Sequence, residues 1–235
     1  MNRLLLLTGG TKGIGLAIAR KFVSQGFDLV TCSRSGERLK NLKEELKRLN
    51  PNTIVYTLVA DLEKKEEVVK FIDYFLSLNR PADVLINNAG IFLPGKIMDE
   101  PEENLSKLMS LNVFSAYFIT RAVAAQMKKE GKGHIFNICS IASITAYSSG
   151  ASYGISKYAL YGMTRILRQE LKKFNIRVTA VLPGATLTDS WVGTDLPPER
   201  FMKPEDVAES VYNAWSLSDS SVVEEIILRP QLGDL

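Results

Sequence analysis

The sequence is poor in the residues that many enzymes use for acid–base and metal chemistry. Its 235 residues include one histidine, His134, and two cysteines, Cys32 and Cys139. A Ser-His-Asp or Cys-His site would have to use that single histidine, and a multi-histidine metal site is excluded. Two cysteines without a CxxC motif give no disulfide framework, so a reducing compartment is expected. No apolar run approaches the roughly 18 residues of a membrane span, and Leu4–Leu7 is too short for a signal-peptide core. Charge of one sign is also lacking. The 29 basic and 26 acidic residues leave a net charge of +3, spread too evenly for nucleic acid or an anionic membrane to be the main partner. No GK[ST] sequence is present, which argues against a P-loop kinase. These absences point to a cytoplasmic protein whose chemistry rests on neither histidine nor metal.

What is present is ordinary globular composition, 46% hydrophobic and 23% charged. No repeat, low-complexity segment or Pro/Gly/Ser-rich linker divides the chain, so residues 1–235 read as one domain. Short apolar runs alternate with helix-period stretches. Strands are expected over Arg3–Leu7, Asp28–Cys32, Thr53–Val59, Asp83–Asn87, His134–Ser140, Ile176–Leu182 and Val222–Leu228. Helices are expected over Ile14–Val23, around the Leu39, Leu42, Leu46 and Leu49 stripe, and around Val68, Ile72 and Phe75. Further helices are expected over Glu102–Lys129 and Ala151–Lys172 and after Pro204. Strict β/α alternation with buried, β-branched strands implies an α/β fold, one doubly wound parallel sheet with helices on both faces. Ligands of such sheets bind at the carboxyl ends of the strands.

The residues at those ends carry the information. The first strand runs into Thr8-Gly9-Gly10-Thr11-Lys12-Gly13-Ile14-Gly15. Glycines there allow a tight turn and close backbone approach to a pyrophosphate at a helix amino terminus. A plain glycine-rich turn would give the same spacing, G-x-x-x-G-x-G. The second strand ends Cys32-Ser33-Arg34, without the carboxylate that would accept from the ribose 2′-hydroxyl of NAD. Arg34, joined by Lys12, is placed to meet a 2′-phosphate, so NADP(H) is expected in preference to NAD(H). Either cation alone would read as a solvated surface charge. Asp61-Leu62 follows the third strand and could simply cap the next helix. Asn87-Asn88-Ala89-Gly90 closes the fourth, where the two amides could simply bond the loop to neighbouring strands. Ser140 ends the fifth. Tyr153 and Lys157, at i and i+4, share one helical face and form the only YxxxK in the chain.

Taken in order, these residues match a family. The chain resembles the classical short-chain dehydrogenase/reductases over essentially its whole length. The match is carried by Thr8-Gly9-xxx-Gly13-x-Gly15, Asn87-Asn88-Ala89-Gly90, Asn112, Ser140, Tyr153-xxx-Lys157 and Pro183-Gly184-xxx-Thr188. The resemblance implies a seven-stranded Rossmann-type domain, with a cofactor half at about 1–130 and a catalytic and substrate half at about 131–235. It implies a catalytic tetrad of Asn112, Ser140, Tyr153 and Lys157. It further implies that Thr8, Gly9, Thr11, Lys12, Gly13, Ile14, Gly15, Ser33, Arg34, Asp61, Leu62, Asn88, Ala89, Gly90, Pro183, Gly184, Thr186 and Thr188 line the NADP(H) site, with Tyr153 and Lys157. Asp61 falls to the adenine, Asn87 to the adenosine ribose side and Thr188 to the nicotinamide carboxamide.

The implied reaction is reversible reduction of a carbonyl group by hydride transfer. A free phenol has a pKa of about 10, and a neighbouring ammonium favours the phenolate. Tyr153 would be the general acid and Lys157 would lower its pKa and hold the nicotinamide ribose. Ser140 would bond the substrate oxygen, and Asn112 would hold a proton-relay water. His134 and Cys139 read as structural. Phe92, Leu93, Ile144, Tyr147 and Trp191 are candidates for the substrate wall, with a short covering segment at Asp189–Lys203. A 3-oxoacyl thioester reductase working with an acyl carrier protein is an alternative. Lys128, Lys129 and Lys132 could meet such a carrier, or form a solvated helix end. A non-catalytic NADP-binding sensor or scaffold is a second alternative. The two long helices, around Phe114/Phe118 and Ala151–Lys172, are apolar beyond one face and so need a second partner; the resemblance implies that they pair in a homodimer or homotetramer.

Overall fold

The computed structural model describes residues 2–191 and 193–235, with Ser190 described by its backbone only. Seven parallel strands form one sheet in the order β3-β2-β1-β4-β5-β6-β7. They are β1 (Leu4–Thr8), β2 (Asp28–Ser33), β3 (Val55–Val59), β4 (Val84–Asn87), β5 (Gly133–Ile138), β6 (Ile176–Pro183) and β7 (Glu225–Leu228). The order reverses between β1 and β4, the position at which open α/β sheets bind ligands. Strand β1 is central and all five of its residues are buried. Burial of each of its leucines contributes roughly 1.5–3 kcal/mol.

The pleat sends alternate side chains to opposite faces. Leu5 and Leu7 join a core with Ile18 and Phe22 of α1 (Gly13–Ser24), Leu42 and Leu46 of α2 (Gly36–Leu49) and Val207 and Val211 of α7 (Pro204–Ser216). Leu4 and Leu6 join a second core. It holds Val68, Phe71 and Phe75 of α3 (Lys65–Ser77), and Ile119 and Val123 of α5 (Ser115–Glu130). Helix α6 (Ala151–Leu171) packs Leu160 against Ala180 and Leu182 of β6.

Some boundaries differ from those the sequence suggests. Leu49 closes α2 but is exposed, and Phe71 rather than Ile72 is fully buried on α3. Strand β5 stops at Ile138, two residues before Ser140. The Cys139 N–H forks between the carbonyls of Asn137 and Val181, which turns the chain there. The long helix is composite. Helix α4 (Glu103–Met109) passes through a π-helical turn at Ser110–Phe114 into α5. This 28-residue run, Glu103–Glu130, is long and apolar enough to cross a membrane by length and composition. Within the fold, 56% of its apolar stretch is buried and α5 lies against the sheet. It ends at Gly131, whose φ of +63° is the left-handed conformation that closes many helices.

Candidate active site

The loop between β1 and α1 is built on glycine. Gly9 and Gly13 have φ values of +69° and +51°, a region that disfavours side chains. A Cβ on Gly15 would overlap the Gly9 carbonyl oxygen and stand 2.5 Å from Asn88 Nδ2. Lys12 occupies the cap position of α1 in extended conformation and supplies no side-chain cap. The helix therefore presents its first N–H groups uncapped by any side chain, as an anion site requires. Ile14 packs on the core, Gly10 N–H donates to Thr31 Oγ1 and Thr11 Oγ1 donates to Ser33 Oγ at 3.3 Å.

The amide pair after β4 divides its work. Asn87 is buried, and its Nδ2 donates to Thr120 Oγ1 and Asn137 Oδ1, so the side chain faces α5 and β5. Asn88 Nδ2 donates to the carbonyls of Thr8 and Gly9 at 3.0 Å, while Thr8 Oγ1 accepts from the N–H groups of Asn88 and Ala89. This ladder fixes the glycine loop against the β4 exit. Asp61 Oδ1 accepts from Glu63 N–H in an Asx-type turn ahead of α3, and Leu62 is buried in the core.

At the end of β2, Arg34 is exposed and has no side-chain hydrogen bond among the described residues. Ser35 Oγ accepts from Arg38 N–H and caps α2. Lys12 Nζ lies 3.0 Å from Asp189 Oδ2. Lys12 is the main reason the Asp189 carboxyl is held below its usual range, and Arg38 adds to that field.

On the other half of the edge, Lys157 is only 6% exposed. Its Nζ donates to the Ile138 carbonyl at 2.9 Å and lies 5.7 Å from the Tyr153 ring centroid. Asn112 sits in the π-helical turn. Its Oδ1 accepts from Ile91 N–H at 2.9 Å, and its Nδ2 donates to Ile91 O and Ser156 Oγ. Ser156 Oγ in turn donates to Tyr153 O. The π turn is thus tied both to the loop after β4 and to α6. A Cβ on Gly90 would stand 3.1 Å from Asn112 Oδ1 and 3.7 Å from Lys157 Nζ, so Gly90 keeps that wall close. Ser140 caps a 3₁₀ turn, Ile141–Ser143. Its Oγ accepts from Ala142 N–H, and its own N–H donates to Ser143 Oγ.

Phe92 meets the Tyr153 ring edge-on with centroids 4.9 Å apart. Ile144 and Tyr147 are exposed, and Leu93 is half-buried. Trp191 packs against Phe201 at 5.0 Å. Thr186 is buried, Gly184 N–H donates to Leu228 O, and Pro183 ends β6. Thr188 touches the glycine loop, where a Cβ on Gly13 would lie 3.0 Å from its Cγ2.

Cys139 is buried behind this edge, and desolvation pushes its thiol up to about 11; Cys32 is pushed up to about 12. His134 lies deep in the sheet and bonds Thr179. Three participants were not visible in the sequence. Asp189 pairs with a residue 177 positions away, a distance no local pattern signals. Ser143 completes the Ser140 cap, and Ser156 supports Asn112; only the adjacency of Ser156 to Lys157 hints at its part.

Similarity to known proteins agrees with this geometry. Residues 3–196 match the family described as short chain dehydrogenase. A sepiapterin reductase of Chlorobaculum tepidum is 34% identical over 243 residues, which cover 100% of this chain and 99% of the relative. A 3alpha-hydroxysteroid dehydrogenase of Mediterraneibacter gnavus is 33% identical, over 96% of this chain and 94% of the relative. Among solved structures, an alcohol dehydrogenase from the archaeon Thermococcus sibiricus, complexed with 5-hydroxy-NADP, superposes with a TM-score of 0.88 at 27% identity, covering 97% of each chain. L-Sorbose reductase from Gluconobacter frateurii, complexed with NADPH and L-sorbose, gives a TM-score of 0.89 at 27% identity, over 97% of this chain and 95% of that one. By its fold, its strand-end residues and this end-to-end similarity, the chain belongs to the short chain dehydrogenase family of oxidoreductases.

Proposed function

We propose that this protein is an NADP(H)-dependent reductase that converts a small ketone or aldehyde to the alcohol, reversibly, in the cytoplasm. The observation that carries the reading is Lys157. It is buried at the carboxyl edge of the sheet, anchored to the Ile138 carbonyl, and stands one helical turn from Tyr153. A desolvated ammonium beside a phenol costs stability without some functional return.

The edge of the first half suits a dinucleotide. The Gly9–Gly15 turn is wound too tightly to admit a Cβ at Gly15, and the α1 amino terminus has no side-chain cap. Arg34 and Lys12 are the cations suited to a 2′-phosphate, and Asp61 and Leu62 border the adenine side. When bound, NADPH supplies the hydride. Solved relatives complexed with NADP or NADPH support the choice of cofactor. Residues 1–130 form the cofactor half and 131–235 the catalytic and substrate half of one domain.

Tyr153 delivers its hydroxyl proton to the carbonyl oxygen as negative charge develops there. Lys157 stabilises the resulting phenolate. One of its three N–H groups is used on Ile138, which leaves two for ribose hydroxyls. The Ser140 hydroxyl already accepts from Ala142, so its own hydrogen is directed to the substrate oxygen. The polar atoms of the Asn112 side chain are engaged by Ile91 and Ser156. A relay water would therefore be held by its main chain, and the side chain positions α6. Phe92, Ile144 and Tyr147 give the substrate a largely apolar wall.

The same fold leaves Phe114, Tyr117, Ile155, Tyr158 and Ile166 exposed on α5, α6 and the π turn. Apolar side chains of this number on adjoining helices favour self-association. We infer a homo-oligomer, which light scattering of the purified protein measures directly.

The test of the activity is NADPH oxidation against a carbonyl panel of α-diketones, pterin side-chain ketones, steroid ketones, ketoses and acetoacetyl thioesters. Turnover is expected with at least one class. Tyr153→Phe should lose about 10²- to 10⁴-fold in kcat while retaining NADPH binding. Full turnover by that variant would overturn the mechanism.

A further inference from the structure

Resting on the cofactor reading above, we propose that Asp189 is a specificity-determining residue that competes with the cofactor's 2′-phosphate for Lys12. The carboxylate sits where an anion is expected to bind. Its Oδ2 is 3.0 Å from Lys12 Nζ, and Arg38 also lies within its field. Both members of the pair are more than half exposed, so neither is needed to fill the fold. The two loops lie close together one residue away on each side, since a Cβ on Gly13 would stand 3.0 Å from Thr188 Cγ2. The closeness of their neighbours keeps Asp189 within reach of Lys12.

The two anions differ in strength. A carboxylate carries one charge, whereas a phosphate monoester carries about 1.5 to 2 and offers three acceptor oxygens. The phosphate wins Lys12, but it must displace Asp189 first. NAD(H) has no 2′-phosphate and leaves the pair intact. Asp189 thus lowers affinity for the phosphorylated cofactor alone and narrows the gap between NADP(H) and NAD(H).

Calorimetric titration of the wild type, Asp189→Asn, Lys12→Met and the double variant tests this. The ligands are NADP⁺, NAD⁺, adenosine 2′,5′-bisphosphate and adenosine 5′-monophosphate. Asp189→Asn should bind NADP⁺ and the bisphosphate about two- to fivefold more tightly, the range expected of an exposed ion pair. NAD⁺ and the monophosphate should be unaffected, and the gain should vanish on the Lys12→Met background. Asp189→Ser should repeat the result. Equal tightening of both cofactors, persistence of the gain without Lys12, or weaker NADP⁺ binding would each overturn the proposal. Wild-type protein that binds NADP⁺ no more tightly than NAD⁺ would overturn the cofactor reading on which it rests.

Discussion

The two edges of the sheet use the same polar residue types for opposite ends. At the amino edge, charged side chains are consumed by the fold. Asp28 is buried and pairs with Arg80 at 2.8 Å, and its other oxygen accepts from Ile54 N–H and Asn2 Nδ2. Asp83 accepts from Leu4 N–H, and Arg177 donates to the carbonyls of Trp215 and Leu217. At the carboxyl edge, donors are left over. Helix α1 has no side-chain cap, Arg34 is free among the described residues, and Lys157 spends one of three donors. Buried polar groups that are fully matched stabilise, whereas a surplus of donors invites a ligand.

Substitutions at each edge should separate the two roles. Asp28→Ala is expected to have the largest effect on stability, about 3–5 kcal/mol, because it leaves Arg80 partly buried without its partner. Urea unfolding measures the loss, and turnover per folded molecule should be unchanged. Gly15→Ala should cost about 1–3 kcal/mol through forced movement of the loop. Unlike Asp28→Ala, it should also weaken NADPH binding, by about tenfold or more.

His134 gives a pH-dependent contrast at the amino edge. Burial, reinforced by Arg177, holds its imidazole well below the ordinary value. The unfolded chain therefore takes up a proton near pH 6.5 that the folded chain does not. Stability is unaffected above that pH and falls below it, by up to about 1.4 kcal/mol per pH unit. His134→Gln should flatten the difference in urea midpoint between pH 7 and pH 5. Arg34→Ala should have the smallest effect on stability, within about 0.5 kcal/mol, yet weaken NADPH and leave NADH alone. If it instead destabilised the fold, the surplus at the carboxyl edge would be illusory.

The sequence made the carboxyl edge legible because glycine spacing and strand-end residues are local signals. Thr8, Gly15, Ser140, Tyr153 and Lys157 all lie at the carboxyl edge of the sheet. The parallel arrangement was legible from alternation alone. What it concealed was pairing across the fold. Asn87 ends β4 and Asn88 opens the loop after it, so one faces Thr120 and the other the glycine loop, a division the Asn-Asn pair alone does not show. The end of β5 is set by the forked bond at Cys139, a backbone event without a side-chain signature. Leu49 continues a leucine stripe past the point where the sheet still covers it.

The π-helical turn around Asn112 has a consequence for length variation. Such a turn stores one extra residue within an otherwise continuous helix. Removing that residue would let α4 and α5 join as an unbroken α-helix, with no chain break to signal the loss. A π turn spends one more residue than an α turn on about the same rotation, so the flanking helices would keep their faces while the turn itself tightened. Asn112 would leave Ile91 and Ser156, although no residue touching them had been substituted. A single deletion between Ser110 and Phe114 should therefore spare folding more than function, and one residue returned within that span should restore the wide turn.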